Sequence, residues 1–277
     1  MKFSVCMCVY RNDIPAHFDT AVRSIYHNQS LKPDEVIVVV DGPVNNEIED
    51  ILQSFKSSIS LKIIRFKNNQ GHATARKAGI EAASNEIIAL MDADDISRPE
   101  RFKKQLEYME KYPDIAVLGG QIDEFIDTEH NTVGRRIVPC NDIDIYKRLK
   151  RQCPFNQMTV VMRKDQYLKA DGYLDWHFNE DYYLWIRMAE AGCSFANLPD
   201  VLVNVRVGEE MYARRGGWKY FRSEEGLQRY MFRKGMISLP RYIYNTTGRF
   251  VVQVALPNKI RGWVFRKFFR QSNDINV

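Results

Sequence analysis

Cysteine is scarce and oddly numbered in this 277-residue chain: Cys6, Cys8, Cys140, Cys153 and Cys193 form no CxxC pair. Neither a zinc cage nor a disulfide framework is therefore expected, and reduced thiols in the cytosol are the simplest interpretation. Long apolar runs are also missing. The best, Phe250 to Leu256, falls far short of the roughly 18 residues that a spanning helix requires. The strand-like start, Phe3 to Val9, is too short and interrupted for the apolar part of a signal peptide. A glycine-rich, lysine-bearing phosphate loop near the N-terminus is absent as well. Finally, no acidic residue occurs between Glu225 and Asp274.

That last gap shapes the charge distribution. The segment holds ten lysines and arginines against a formal net charge of +5, which leaves the rest of the chain at −5. Aromatics, among them Tyr230, Tyr242, Phe250, Trp263 and Phe268, are interleaved with the cations. From Lys259 to Arg270 an apolar stripe of Ile260, Trp263, Val264 and Phe268 lies largely opposite Lys259, Arg266, Lys267 and Arg270. This is the composition of a peripheral helix on an anionic membrane surface. A basic tail helix packed on the domain is the alternative; no nucleic-acid motif accompanies the charge, so no nucleic acid is expected as partner.

What is present begins with an acidic knot. Met91-Asp92-Ala93-Asp94-Asp95 follows the apolar run Ile87 to Leu90. Carboxylates this close repel one another unless a cation or hydrogen-bond donors lie between them. Side chains alternate along a strand, so Asp92 and Asp94 share one side at its end, and hard oxygens suit Mg²⁺ or Mn²⁺. An acidic loop capping the next helix is the plain alternative.

The first hundred residues read as alternating strands and helices. Strands are expected at Val5–Val9, Glu35–Val40, Leu61–Phe66 and Glu86–Met91, and helices at 15–28 and 73–84. Ser97-Arg98-Pro99-Glu100 reads as a capping box opening a further helix. Such alternation implies a Rossmann-like, mostly parallel sheet between helices, with ligands at the strands' carboxyl ends. Tyr10, Asp41, Asn69, Arg76, Asp92 and Asp94 all fall on that rim. Further along, Glu180-Asp181 opens a helix over 182–191, where dipole attraction keeps a carboxylate ionised while its acidic neighbour raises its pKa. A base near neutral pH is the result. Arg214-Arg215-Gly216-Gly217 reads as a cationic loop able to close on phosphate. Trp176, His177 and Trp185 are candidates for packing on a sugar, with core packing the alternative for Trp185.

These segments, together with Pro154–Val161 and Gly172–Arg187, resemble the inverting family-2 glycosyltransferases of the GT-A fold, in the branch of amylovoran and O-antigen biosynthesis enzymes. The resemblance covers nearly the whole chain. It implies a nucleotide-diphosphate sugar donor, with Tyr10 and Asp41 near the base and Arg76 on the nucleotide. It further implies Asp92 at the ribose or sugar, and Asp94 holding Mn²⁺ or Mg²⁺ against the pyrophosphate. Asp181 is expected as the base and Glu180 as an aid to acceptor binding. The expected organisation is a nucleotide-sugar-binding half, 1–100, an acceptor-binding and catalytic half of the same domain, 101–225, and a membrane-associating tail, 226–277. The expected reaction moves a hexose, glucose or galactose, from a UDP-sugar to a sugar on an undecaprenyl-type lipid diphosphate, at the inner face of the plasma membrane. Two departures stand out. Cys8-Val9-Tyr10 occupies the place of Pro-Thr-Tyr, and Asn156-Gln157 that of Asn-His; Gln157 cannot titrate. A sugar nucleotidyltransferase and a non-catalytic nucleotide-sugar-binding subunit remain as rivals.

Overall fold

The computed structural model describes residues 1–208 and 216–256. Three βα steps open the chain: β1 (Phe3–Val9), α1 (Pro15–Ile25), β2 (Glu35–Val40), α2 (Asn46–Lys56), β3 (Leu61–Arg65) and α3 (His72–Glu81), leading into β4 (Ile87–Leu90). Their apolar residues alternate as two covered faces require. Val5, Met7 and Val9 of β1 and Val36, Val38 and Val40 of β2 join one core with Phe18, Val22, Leu52 and Phe102. Cys6, Ile37, Ile88 and Leu90 face the other, with Ile80, Trp185, Phe195 and Leu227. Helix α2 was not anticipated, although Asn45 caps it by accepting from the Ile48 N–H at 2.9 Å, and Glu47 and Glu49 lie in its first turn.

The second half completes a nine-stranded sheet. It consists of β5 (Ile96–Ser97), α4 (Arg101–Lys111), β6 (Ile115–Phe125), β7 (Thr132–Arg136), α5 (Asp142–Leu149), β8 (Val161–Arg163), α6 (Lys164–Lys169), α7 (Glu180–Glu190) and β9 (Ser194–Arg206). The strand order is β3-β2-β1-β4-β8-β6-β9-β5, with β7 on β6. β3, β2, β1 and β4 are parallel as expected. Beyond β4 the sheet becomes mixed, because β8 runs antiparallel to both β4 and β6.

The segment at 97–100 departs from expectation. Ser97 pairs with Val203 in the sheet, and its hydroxyl accepts from Gln29 at 3.2 Å instead of capping a helix. α4 starts only at Arg101, with no side-chain cap.

The division at 225/226 also needs correction, since it falls inside an unbroken helix, α8 (Trp218–Arg233). α9 (Leu239–Phe250) packs on α8 and on the domain: Asn245 donates to the Lys150 carbonyl and to Gln228, and Arg249 pairs with Glu224. The described part of the presumed tail is therefore folded onto the body. The amphipathic stretch 259–270 lies outside the described residues, as do Arg214 and Arg215. No described helix is long and apolar enough to cross a membrane.

Candidate active site

Around β1 the strand order runs outward to β2 on one side and to β4 on the other. A crevice is expected where the carboxyl ends of β1 and β4 diverge. On its β2 side, buried Asp41 organises the loop that precedes α3. Its Oδ1 accepts from the Gln70 N–H at 2.6 Å, and its Oδ2 from Gly71 N–H at 3.0 Å and Asn69 Nδ2 at 2.9 Å. Gly42 has a φ of +87°, and a Cβ there would lie 2.8 Å from the Asn69 nitrogen. Only glycine permits this approach. Tyr10 is 38% exposed at the end of β1, a ring available to stack.

The three carboxylates of the acidic knot go to three environments. Asp92 is paired with Arg76, whose guanidinium is only 2% exposed. Asp94 is exposed. Asp95 is buried, accepts from the Arg206 N–H at 2.9 Å, and is pushed well above the usual carboxylate range by burial and then by Asp94 and Asp92. Asp13, not singled out from sequence, joins them from the loop after β1. Burial and the charges of Asp94 and Asp92 raise it to about 6, against the Tyr10 N–H that bonds it.

Among the described residues no three His, Cys, Asp or Glu side chains gather into a metal cage. The donor set nonetheless fits a divalent ion carried by a diphosphate. Asp94 presents hard oxygens to solvent and Asp92 has an oxygen beyond the one held by Arg76. Its remaining ligands would come from phosphate oxygens and water.

Arg76 also reaches the second half of the chain. Its Nε donates to His72 Nε2 at 2.9 Å, and His72 Nδ1 lies 3.0 Å from Glu180 Oε1. Because Nε2 must be the acceptor from a guanidinium, the imidazole hydrogen sits on Nδ1 and is donated to Glu180. A continuous chain, Asp92–Arg76–His72–Glu180, thus joins the two acidic stretches. Arg76 Nη1 is buried with no hydrogen-bond partner, an unmet donor at the centre of the site.

Glu180 and Asp181, in the first turn of α7, are driven apart electrostatically. Burial works to raise Glu180, but the His72 hydrogen bond and the nearby Arg76 charge hold it below the usual range. Asp181 is raised, by burial first and then by Glu180, against the Tyr182 N–H, Arg136 and Arg76. Two adjacent carboxylates in opposed environments are the pattern of an assigned base. Cys153 Sγ lies 3.7 Å from Asp181 Oδ2, with its thiol pushed up to about 12 by burial and Asp181. The thiol therefore donates. Gln157 occupies the same neighbourhood: its Nε2 donates at 2.7 Å to the hydroxyl of buried Tyr173, a ring that senses Arg76, Asp181 and Glu180.

Sequence inspection missed His72, Asp13, Arg136, Cys153 and Tyr173. His72 alone had a local signal, being four residues before Arg76 on one helix face. Trp185 is fully buried against Phe155 and belongs to the core. Trp176 donates to the Ser223 carbonyl at 3.1 Å and packs on Tyr183, which ties it to α8.

A family model for glycosyl transferase family 2 matches residues 4–171, well over half of the chain. The chain belongs to glycosyltransferase family 2. Among its relatives, the amylovoran biosynthesis glycosyltransferase AmsE of Erwinia amylovora is 37% identical over 82% of this chain and 84% of that protein. An Escherichia coli UDP-Gal:alpha-D-GlcNAc-diphosphoundecaprenol beta-1,3-galactosyltransferase is 34% identical over 98% of this chain and 97% of its own length. The crystal structure of S. aureus TarS 1-349 in complex with UDP-GlcNAc superposes with a TM-score of 0.67 at 16% identity, over 97% of this chain and 76% of that one. That likeness supports the GT-A fold of this family-2 glycosyltransferase. The family assignment displaces the nucleotidyltransferase and non-catalytic readings.

Proposed function

We propose that this glycosyltransferase moves a hexose, galactose or glucose, from a UDP-sugar to a sugar carried on a lipid diphosphate of the undecaprenyl type, in the assembly of a bacterial surface polysaccharide. The observation that supports the reading is the hydrogen-bonded chain from Asp92 through Arg76 and His72 to Glu180, which links the acidic knot to the first turn of α7. The galactosyltransferase relative, similar along nearly its whole length, supports both the donor and the lipid-diphosphate acceptor.

Asp181 takes the proton of an acceptor hydroxyl as that oxygen attacks the anomeric carbon. The bond from that carbon to the diphosphate oxygen breaks on the opposite face, and UDP departs with the bonding pair, inverting the configuration. Its raised pKa strengthens Asp181 as a base, and the Cys153 thiol orients one of its oxygens. Glu180, kept ionised by His72, is available to accept from an acceptor hydroxyl. Arg76 offers Nη1 to the nucleotide, Tyr10 stacks on the base, and Asp41 and Asn69 hold the loop beneath it. Asp94, with Asp92, would hold Mn²⁺ or Mg²⁺, which when bound neutralises charge on the departing diphosphate. Arg214 and Arg215 are assigned to the same phosphates. The basic aromatic C-terminal segment meets anionic lipid on the cytoplasmic leaflet, where such acceptors are presented.

The test is a panel of UDP- and other nucleotide sugars incubated with an N-acetylhexosamine on a long-chain lipid diphosphate. UDP release is expected with a UDP-hexose and only when acceptor is present. Equal release without acceptor, or release only from a different nucleotide, contradicts the assignment.

A further inference from the structure

A groove of about 460 Å³ is lined by Ile137 and Gln152, the chain neighbours of Arg136 and Cys153, which lie near the proposed base. One wall is the chain after β7, including Ile137 and Pro139. The other is the face of α5 and its extension that carries Lys147, Arg148 and Arg151. Asp144 also lines it, its carboxylate paired with Lys147 Nζ at 2.9 Å and accepting from Asn141 Nδ2 at 2.9 Å; three cations against this one carboxylate leave the groove net cationic.

Two contacts fix the groove against the catalytic carboxylate. Arg136, the residue before Ile137, donates from Nη2 to the Cys153 carbonyl at 3.1 Å, while the thiol of Cys153 bonds Asp181. Arg136 and Arg148 are both close enough to Cys153 to act on its thiol. At its other end the groove meets α9, whose Asn245 and Arg249 donate to the carbonyls of Lys150 and Arg151. The opposite side of α9 exposes Leu239, Ile243 and Tyr244.

We propose that this groove seats the diphosphate of the lipid-linked acceptor, with Lys147, Arg148 and Arg151 as its cations. The inference rests on the function proposed above and adds where the acceptor's anionic end is held. Charge complementarity and position support it together. The acceptor's reacting hydroxyl has to reach Asp181 while the diphosphate on the same sugar lies one ring away. The groove is linked to Asp181 through Arg136 and Cys153, carries cations along an apolar wall, and meets α9, the helix whose far side exposes Leu239, Ile243 and Tyr244. Guanidinium forks match such oxygens in pairs. The donor diphosphate is assigned to the other side of the crevice, at Asp94 and Arg76.

The probe is farnesyl diphosphate, titrated into full-length protein saturated with UDP and Mg²⁺ so that the donor site is closed to it. Wild type is expected to bind it. The triple variant Lys147→Gln, Arg148→Gln, Arg151→Gln should bind at least roughly tenfold more weakly, with UDP affinity unchanged; farnesol should bind both proteins equally weakly. The single charge reversal Arg151→Glu, at an exposed position, should weaken binding in the same direction. Absence of wild-type binding, or equal affinity in wild type and both variants, overturns the assignment. Failure of the functional reading gives a different pattern: farnesyl diphosphate still binds in the groove, but no nucleotide sugar releases UDP.

Discussion

Replacing Arg76 with methionine removes the hub between the two halves of the site while nearly preserving its volume. The guanidinium is 2% exposed, and its partner Asp92 stands close to Asp94, Asp95 and Asp13. Breaking a fully buried pair by deleting one partner costs about 3–5 kcal/mol, chiefly by stranding the other charge. Asp92 retains 25% side-chain exposure and some hydration, so about 2–3 kcal/mol is expected here. Arg76→Lys keeps the charge, but a single ammonium cannot reproduce the geometry of both the Asp92 and His72 bonds; about 1–2 kcal/mol is expected from the lost charged hydrogen bond. Urea unfolding without nucleotide measures both. The decisive arm is the cycle with Asp92→Asn: with no stranded carboxylate, the double variant should recover more than half of the Arg76→Met loss. A loss below about 1 kcal/mol for Arg76→Met, or no recovery in the double variant, would refute the clamp.

Other expectations follow from the same geometry. Glu180 raises Asp181, so Glu180→Gln should move the acid limb of the kcat profile to lower pH; a shift to higher pH contradicts the assignment of Asp181 as the ionising base. Asp94→Ala should remove the divalent-ion dependence of UDP binding, read by titration with and without Mn²⁺, and retention of that dependence would move the ligand elsewhere. Deleting the residues after Leu256 should abolish sedimentation with anionic vesicles and leave UDP affinity intact, whereas undiminished sedimentation defeats the membrane role. The cut belongs there and not near 240, since α9 is held to the body through Asn245 and Arg249.

The parallel half of the fold was legible because its information is local. The nearly continuous apolar runs in Glu35–Val40 and Ile87–Leu90 mark strands covered on both faces, and a carboxylate run at the end of such a strand marks the rim. The antiparallel half was not legible. β6 contains Gly119-Gly120 and then Gln121, Asp123 and Glu124, a sequence without an apolar period. It is buried because distant groups satisfy those polar chains: Gln121 by Val138 and Leu198, Asp123 by Arg98 and Arg135. Such pairings leave no local trace. Ser97-x-x-Glu100 misled for a related reason, because a distant strand at Val203 claims the serine's backbone.

In the candidate site Asp92, Asp94, Asp95, Glu180 and Asp181 could be named from the sequence, unlike Asp13, but not their charge states or neighbours. Asp94 and Asp95 are adjacent in the chain, yet one is exposed and the other is buried under Arg206. The opposed environments of Glu180 and Asp181 depend on His72, more than a hundred residues away. Only the folded chain brings that imidazole to α7.

Asp181→Asn is the most direct test, because asparagine keeps the side chain's size and cannot accept the proton. Under donor-saturating conditions, UDP affinity should stay within about twofold of wild type, while transfer to the lipid-linked acceptor falls by roughly 10²–10⁴. Transfer at the wild-type rate would mean that the proton goes elsewhere, and the account of this site would be wrong.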